Sequence, residues 1–481
     1  MIPFNNTYAK LPEHFYTRQN PAQVPAPQLI CVNRELAQEL GIDFEVLDSS
    51  AGAEIFSGNT VPEGAEPLAQ VYAGHQFGGY SPRLGDGRAI LLGEVIDASG
   101  QRRDIQLKGS GRTAFSRGGD GRSALGPVIR EYIVSEVMHA LGVPTTRALA
   151  AVVTGEKVRR QEGALAGGVF TRVAASHIRV GTFQYFYAQN DLEAVKCLAD
   201  YAIERHHPEL EDEPEPYLHF LKKVMQAQAE LIAHWMSLGF IHGVMNTDNS
   251  AVSGETIDYG PCAFMDAFHP QRVFSSIDTG GRYAWGNQPN IGLWNMSRLA
   301  ETLVPLVDED MNKGVEKVET VLADFPSCFK TRYTDRFRKK LALPASGDSD
   351  ELIKSGLGLL ANQEVDFTLF FRRLTQVATG GDVSELSSMF SDQQPFQRWF
   401  KQWQKAACSQ AKAEMSSVNP ILIPRNHRVE EAIQGAYVGD YAPFRRLVFA
   451  LRTPFEESED HADLEKPPLP EECVRETFCG T

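Results

Sequence analysis

The sequence predicts an α+β chain in two lobes: a strand-rich N-lobe, a helical C-lobe and a helical C-terminal extension. Three observations carry that reading. Short apolar runs of strand length, bounded by Gly and Asp, dominate before residue 180. After residue 190 apolar residues recur at three- and four-residue spacing. A length of 481 residues exceeds what one compact domain usually holds. The boundaries fall at 1–180, 181–340 and 341–481, the last ending in an acidic tail. With 42% hydrophobic and 23% charged residues the chain can bury a large core, which excludes disordered, collagenous and coiled-coil classes.

Residues 1 to 80 are rich in Pro, Gly and Asn, with one helix-like stretch at 34–40. The Gly-dense segment YAGHQFGGY at 72–80 reads as a shaped loop rather than a strand. Segments 88–97 and 103–108 read as a hairpin turning at 98–101. Residues 109–121 hold five glycines and no apolar period. A helix follows, since Leu125, Val128, Ile129, Tyr132, Ile133, Val137, Ala140 and Leu141 share one face and Gly142 and Pro144 end it. Val169 to Val173 suggests another strand.

From Asp191 the pattern is helical, most clearly at 217–238, which runs into Gly239-Phe-Ile-His-Gly243. Further helices are expected at 294–307, 351–360 and 399–415, and the acidic, Pro-containing stretch 456–472 reads as a solvated, mobile tail. Net charge is 47 − 62 = −15, so nucleic acid and anionic membrane are not expected as partners. Seven scattered cysteines, no leader-like N-terminus and no apolar run of about 18 residues point to the cytoplasm.

The most informative stretches are HGVMNTDN at 242–249 and TIDYG at 256–260. Asn249 and Asp258, nine apart, can bring two oxygen ligands to one Mg²⁺ if a hairpin joins them. Protein kinases hold the metal on ATP in this way. Asp258-Tyr-Gly260 resembles their Asp-Phe-Gly, and 242–249 has the spacing of their catalytic loop, with Val244 where a kinase places its catalytic Asp. A strand ending in Lys108, a helix bearing Glu131 and Glu136, the helix into His242, then Asn249 and Asp258, repeat the kinase order. A protein kinase-like two-lobe fold is the expectation. Of the two glutamates, periodicity places Glu136 nearer the apolar face. His75 and His242 have no second metal ligand at fitting spacing and read as structural.

YAGHQFGGYSPRLGDGR at 72–88, LKGSGRTAFSRGGDG at 107–121, HGVMNTDN and 257–260 together closely resemble the selenoprotein O family, called YdiU in bacteria. The resemblance extends over most of the chain. The family is a kinase-like group of protein adenylyltransferases. Resemblance therefore implies that ATP binds reversed relative to kinases, and that AMP passes to Ser, Thr or Tyr hydroxyls of protein substrates with Mg²⁺, or alternatively Mn²⁺, as cofactor. Asp248 would be the general base, held at low pKa by the neighbouring metal, and Asn249 and Asp258 the metal ligands. Gly85, Gly87, Arg88, Asp120 and Gly121 match nucleotide contacts, Lys108 a phosphate ligand, Glu131 its partner, and Arg172 and Arg179 a further phosphate-contacting pair. Cys479 lies where some members carry selenocysteine, so an oxidative link from Cys479 to another cysteine, with Cys262 near the metal site, is a further expectation. Two other readings compete. Phosphotransfer is disfavoured by Val244, and a nucleotide-binding pseudokinase scaffold is disfavoured by the joint presence of Lys108, Asp248, Asn249 and Asp258.

Overall fold

The computed structural model describes residues 2–345, 349–408 and 411–478. One antiparallel sheet organises the first part, with strands in the order Tyr16–Arg18, Leu68–Gln70, Ala89–Ile96, Arg102–Lys108, Gly163–Ala174, Arg147–Arg160, Gln28–Val32. The expected hairpin is its centre, running from Ala89 opposite Lys108 to Ile96 opposite Arg102. Its side chains Ile90, Leu91, Leu92, Val95, Ile105 and Leu107 are buried.

Several elements differ from expectation. Val169 to Val173 is the middle of a longer strand, and its hairpin partner Arg147–Arg160 was not anticipated. That partner reads RALAAVVTGEKVRR, in which Ala, Glu, Lys and Arg blur the alternation, and packing between two neighbours overrides the local preference. Segment 72–80 is not a plain loop. It folds as a small ladder of Gly74–Gln76 against Gly79–Ser81, because Phe77 and Gly78 take φ of +51° and +85°, the backbone of a tight hairpin turn.

The helix Leu125–Ala140 packs against the sheet through Leu125, Val128, Ile129, Ile133 and Val137. The helices Asn426–Tyr437 and Ala442–Ala450 cover it from outside: the Gly126 amide donates to Tyr437 Oη at 3.1 Å, and the Tyr132 and Phe444 rings lie 5.4 Å apart.

In the second part the helix Pro216–Ser237 is central, flanked by Gln288–Val307 and Phe325–Lys340. It leads into Phe240–Ile241, which pairs with Ala263–Phe264 and so closes residues 242–262 into one loop. No hairpin joins Asn249 to Asp258. Instead the backbone between them is held from outside: Val180 N donates to Ser250 O at 2.9 Å, Val252 N to Ile178 O at 3.0 Å, and Thr256 N to Pro144 O at 2.9 Å.

The helix expected at 399–415 runs instead over Gln393–Ala406, with a separate 3₁₀ segment at Ala411–Ser417. Its buried stripe of Phe396, Trp399 and Trp403 finds no apolar continuation before Met415. Most of the acidic tail is exposed, as expected, but it is tied down at several points: Glu457 pairs with Arg372, Glu465 O accepts from Arg425 Nε at 3.0 Å, Asp463 pairs with Arg446 at 2.6 Å and Leu464 is buried. Beyond it Thr477 Oγ1 donates to Pro261 O at 2.6 Å. Cys479 lies outside the described residues. Among the described residues no helix is long and apolar enough to cross a membrane.

Candidate active site

A cavity of about 480 Å³ opens between the sheet and the 242–262 loop, and its wall includes Gln76, Asp86, Gly87, Arg88, Lys108, Arg117, Arg172, Arg179, Asp248, Asn249 and Asp258. The strands Arg102–Lys108 and Gly163–Ala174 are neighbours, with Arg172 opposite Gln106, so Lys108 and Arg172 reach the same point from adjacent strands. That point is Asp258. Its Oδ1 accepts from Lys108 Nζ at 2.7 Å and from Arg172 Nη2 at 2.5 Å, and its Oδ2 accepts from Arg179 Nη1 at 2.6 Å.

Glu131 completes the cluster. It accepts from Lys108 Nζ at 2.7 Å and from Arg172 Nε at 3.1 Å. Glu136 faces elsewhere, accepting from Arg147, Asn33 and the Ala148 amide. Burial alone would raise the Asp258 pKa, but Arg172, Lys108 and Arg179 outweigh it and hold the carboxyl well below the usual carboxylate range. Asp258 also takes a left-handed φ of +64°, uncommon for a residue with a side chain and concentrated at functional positions. With Arg172 at 1% exposure, these are buried charges held by mutual pairing.

Asp248 sits on the 3₁₀ turn Thr247–Asn249, 7% exposed. Its Oδ2 accepts from Gln76 Nε2 at 3.1 Å, while Oδ1 is buried without a partner. Burial pushes its pKa up to about 6. The small hairpin grips this turn further: the His75 amide donates to Thr247 Oγ1 at 2.7 Å and the Phe77 amide to Asn246 Oδ1 at 3.1 Å.

For a divalent cation, the cavity offers hard oxygen donors. Asn249 Nδ2 donates to Val244 O at 3.0 Å, which leaves its amide oxygen as the ligand, and Asp258 supplies a carboxylate that the cation would share with its three basic partners. No group of three or more His, Cys, Asp or Glu suited to a metal occurs among the described residues. An amide oxygen and one carboxylate are the kind of donors that Mg²⁺ takes from a protein when phosphate oxygens and water complete its shell.

Gly87, Arg88, Lys108, Arg172, Arg179, Asp248, Asn249 and Asp258 thus meet in one cavity, with Glu131 bonded behind them. Gly85, Asp120 and Gly121 are not part of its wall. A Cβ on Gly85 would lie 2.4 Å from the Phe115 ring and one on Gly121 2.2 Å from the Gly111 backbone, so loop packing occupies the space beside both. Asp120 is bound by Arg160 at 2.8 and 3.2 Å. His242 donates from Nε2 to Ile257 O at 2.9 Å, a structural role, and His75 bonds to Gln184 at 2.8 Å.

Sequence reasoning missed Gln76, Asp86 and Arg117. Asp86 is buried, accepts from the Gln70 amide at 3.1 Å and from Gln106 Nε2 at 3.3 Å, and burial pushes its pKa up to about 6. Arg117 reaches the cavity from the exposed Gly-rich loop. All three lie within the quoted motifs, but nothing in residue type or spacing separates them from their neighbours.

Comparison with known proteins adds a family. Residues 1–452 match the family model described as Protein adenylyltransferase SelO. A protein nucleotidyltransferase YdiU of Agrobacterium fabrum (strain C58) is 56% identical over 489 residues, covering 100% of both chains. The namesake from Bradyrhizobium diazoefficiens is 56% identical over 488 residues, covering 100% of this chain and 99% of its own. The one from Cereibacter sphaeroides (strain KD131) is 54% identical over 481 residues, 99% of each.

Proposed function

Since the chain belongs to the SelO family and is a nucleotidyltransferase, we propose that it moves AMP from ATP, bound in the reversed orientation, to Ser, Thr or Tyr hydroxyls of proteins in the cytoplasm. The observation that carries this reading is the convergence of Lys108, Arg172 and Arg179 on Asp258, in the cavity that also holds Asp248 with an unpartnered Oδ1. In this reading 1–180 and 181–340 are the two lobes of a kinase-like arrangement, 341–481 is an extension, and the lining of the cavity from both 1–180 and 181–340 supports a site between lobes.

In the proposed reaction the cations bind the triphosphate, and Arg172 and Arg179 supply forked donors for the phosphates that leave as pyrophosphate. The substrate hydroxyl attacks the α-phosphorus; a bond forms from its oxygen to that phosphorus as the bond to the β-phosphate bridging oxygen breaks. The hydroxyl proton passes to Asp248, whose Oδ1 is buried in the cavity without a hydrogen-bond partner. Gln76 fixes Asp248 through Oδ2. Glu131 positions Lys108 and Arg172 without touching substrate. Mg²⁺ or Mn²⁺ held by Asn249 and Asp258 would neutralise charge developing on the phosphates. The apolar Val244 supplies no carboxylate at the kinase base position, which supports transfer at the α- rather than the γ-phosphorus.

Incubation with ATP labelled separately at the α- and γ-phosphates, in the presence of acceptor protein, tests the reading. Label retained only from the α position supports it; retention from γ alone would replace it with phosphotransfer.

A further inference from the structure

The catalytic cavity carries two apolar side chains that neither the core nor the turn chemistry accounts for. Of the exposed large apolar side chains among the described residues, Phe77 and Ile277 are the two in its wall, at 37% and 59% exposure. Phe77 holds the first central position of the tight turn between Gly74–Gln76 and Gly79–Ser81, with φ of +51°. Such a position favours Gly, Asn or Asp, and a bulky side chain there is costly. Turn geometry does not call for Phe77, and burial does not reward it. Strained residues of this kind concentrate at active sites and ligand clamps.

Both side chains are tied to the catalytic turn through Tyr283. The Tyr283 hydroxyl donates to Asn246 Oδ1 at 2.6 Å and accepts from the Phe77 amide at 3.2 Å, and the two rings lie 5.1 Å apart. Ile277 precedes Asp278, whose buried carboxylate accepts from the Arg282 and Tyr283 amides at 2.8 Å each. Gln76, next to Phe77, bonds to Asp248 Oδ2. This apolar rim is thus fixed to the Asp248 side of the cavity, whereas Lys108, Arg172 and Arg179 gather on Asp258. The proposed AMP transfer brings the acceptor hydroxyl to Asp248, and on that reading we propose that Phe77 and Ile277 select the acceptor by taking an apolar side chain next to the modified Ser, Thr or Tyr. Consecutive Cα atoms lie about 3.8 Å apart, so an acceptor chain with its hydroxyl at Asp248 carries the flanking residues across the adjoining rim. A polar amide there would lose water and gain no partner from either side chain.

Steady-state transfer by the full chain from ATP labelled at the α- or the γ-phosphate to short synthetic peptides tests this. Each peptide has one central Ser, Thr or Tyr in a Gly, Ala and Lys background, with either Leu or the similarly shaped Asn on both sides of it. Expected is a kcat/KM for peptide about tenfold or more higher with Leu than with Asn, falling to about twofold or less in Phe77→Ala and in Ile277→Ala, with KM for ATP unaltered. Ile277 is well exposed, so Ile277→Ala should fold even if Phe77→Ala does not. Equal use of Leu and Asn peptides by wild type, a Leu preference undiminished in Ile277→Ala, or no label on any peptide from either phosphate would overturn the assignment. So would a raised KM for ATP in Phe77→Ala, which would set that ring against the nucleotide. The expected Leu preference with label arriving only from the γ-phosphate would fail AMP transfer and leave the selecting role of the rim in place.

Discussion

The inner, charged wall of the catalytic cavity and the Gly-rich loop outside it, which reaches the cavity through Arg117, are built on opposite principles. Inside, Lys108, Arg172, Arg179, Glu131 and Asp258 come from four distant segments and bond to one another. Outside, the Gly-rich loop 109–121 bonds mainly to itself and its neighbours: Arg112 donates to Gly118 and Gly119 carbonyls at 2.9 and 2.6 Å, and Thr113 Oγ1 donates to Asp86 O at 2.7 Å. The inner wall can form only when the whole fold is in place, whereas the loop is held largely by backbone carbonyls and exposed side chains. Substitutions inside should therefore damage both stability and chemistry, and those outside should be mild.

The largest effect is expected at Asp258. Asp258→Ala removes the anion that three cations share and a proposed metal ligand, and should lower kcat by about 10³-fold, measured as AMP incorporation at saturating Mg²⁺. Near wild-type turnover would take Asp258 out of the chemistry. Glu131→Ala leaves Arg172 buried with half its partners, and denaturant melts should show a loss of about 3–5 kcal/mol. If the melt is unchanged, mutual pairing is not what holds the inner wall.

Gln76→Leu comes next. It removes the donor to Asp248 Oδ2 and should reduce kcat by about tenfold while leaving KM for ATP nearly unchanged. A change confined to KM would place Gln76 in binding instead. Outside, Asp120→Ala breaks a half-exposed contact to Arg160 and should cost less than about 1 kcal/mol of stability by thermal melting. An effect as large as that of Glu131→Ala would erase the distinction between the inner wall and the loop.

Lys340 extends the comparison, because this buried lysine has no carboxylate partner among the described residues, whereas Lys108 is bonded to Glu131 and Asp258. The folded-state pKa of Lys340 is lowered to about 7, below that of the unfolded chain, so between about pH 7 and 9 the unfolded state binds more protons and stability rises with pH. Lys340→Met should therefore gain most over wild type near pH 6, the gain shrinking toward pH 9. Melting curves across this range with a pH-independent difference would contradict the lowered pKa.

Elements with strong local signals were legible in the sequence. The helix Leu125–Ala140 follows from seven apolar positions on one face, and the central hairpin from two runs around a four-residue turn. Lys108, Asp248, Asn249 and Asp258 stood out because their motifs are long and ordered along the chain. What stayed hidden depends on distant partners. The contact from Gln76 to Asp248 spans 172 residues, the Ala-rich strand Arg147–Arg160 is a strand because of what flanks it, and the tail is docked by Arg372, Arg425 and Arg446 on separate segments.

The central claim, that this cavity transfers adenylate with Asp248 accepting the proton, is tested most directly by the intact mass of an acceptor protein after incubation with Mg-ATP and either wild type or Asp248→Asn. The account predicts that wild type adds the mass of one adenylate per modified hydroxyl and that Asp248→Asn, at equal ATP affinity, adds almost none. Addition of a phosphoryl group alone, or equal adenylate addition by both proteins, would contradict it.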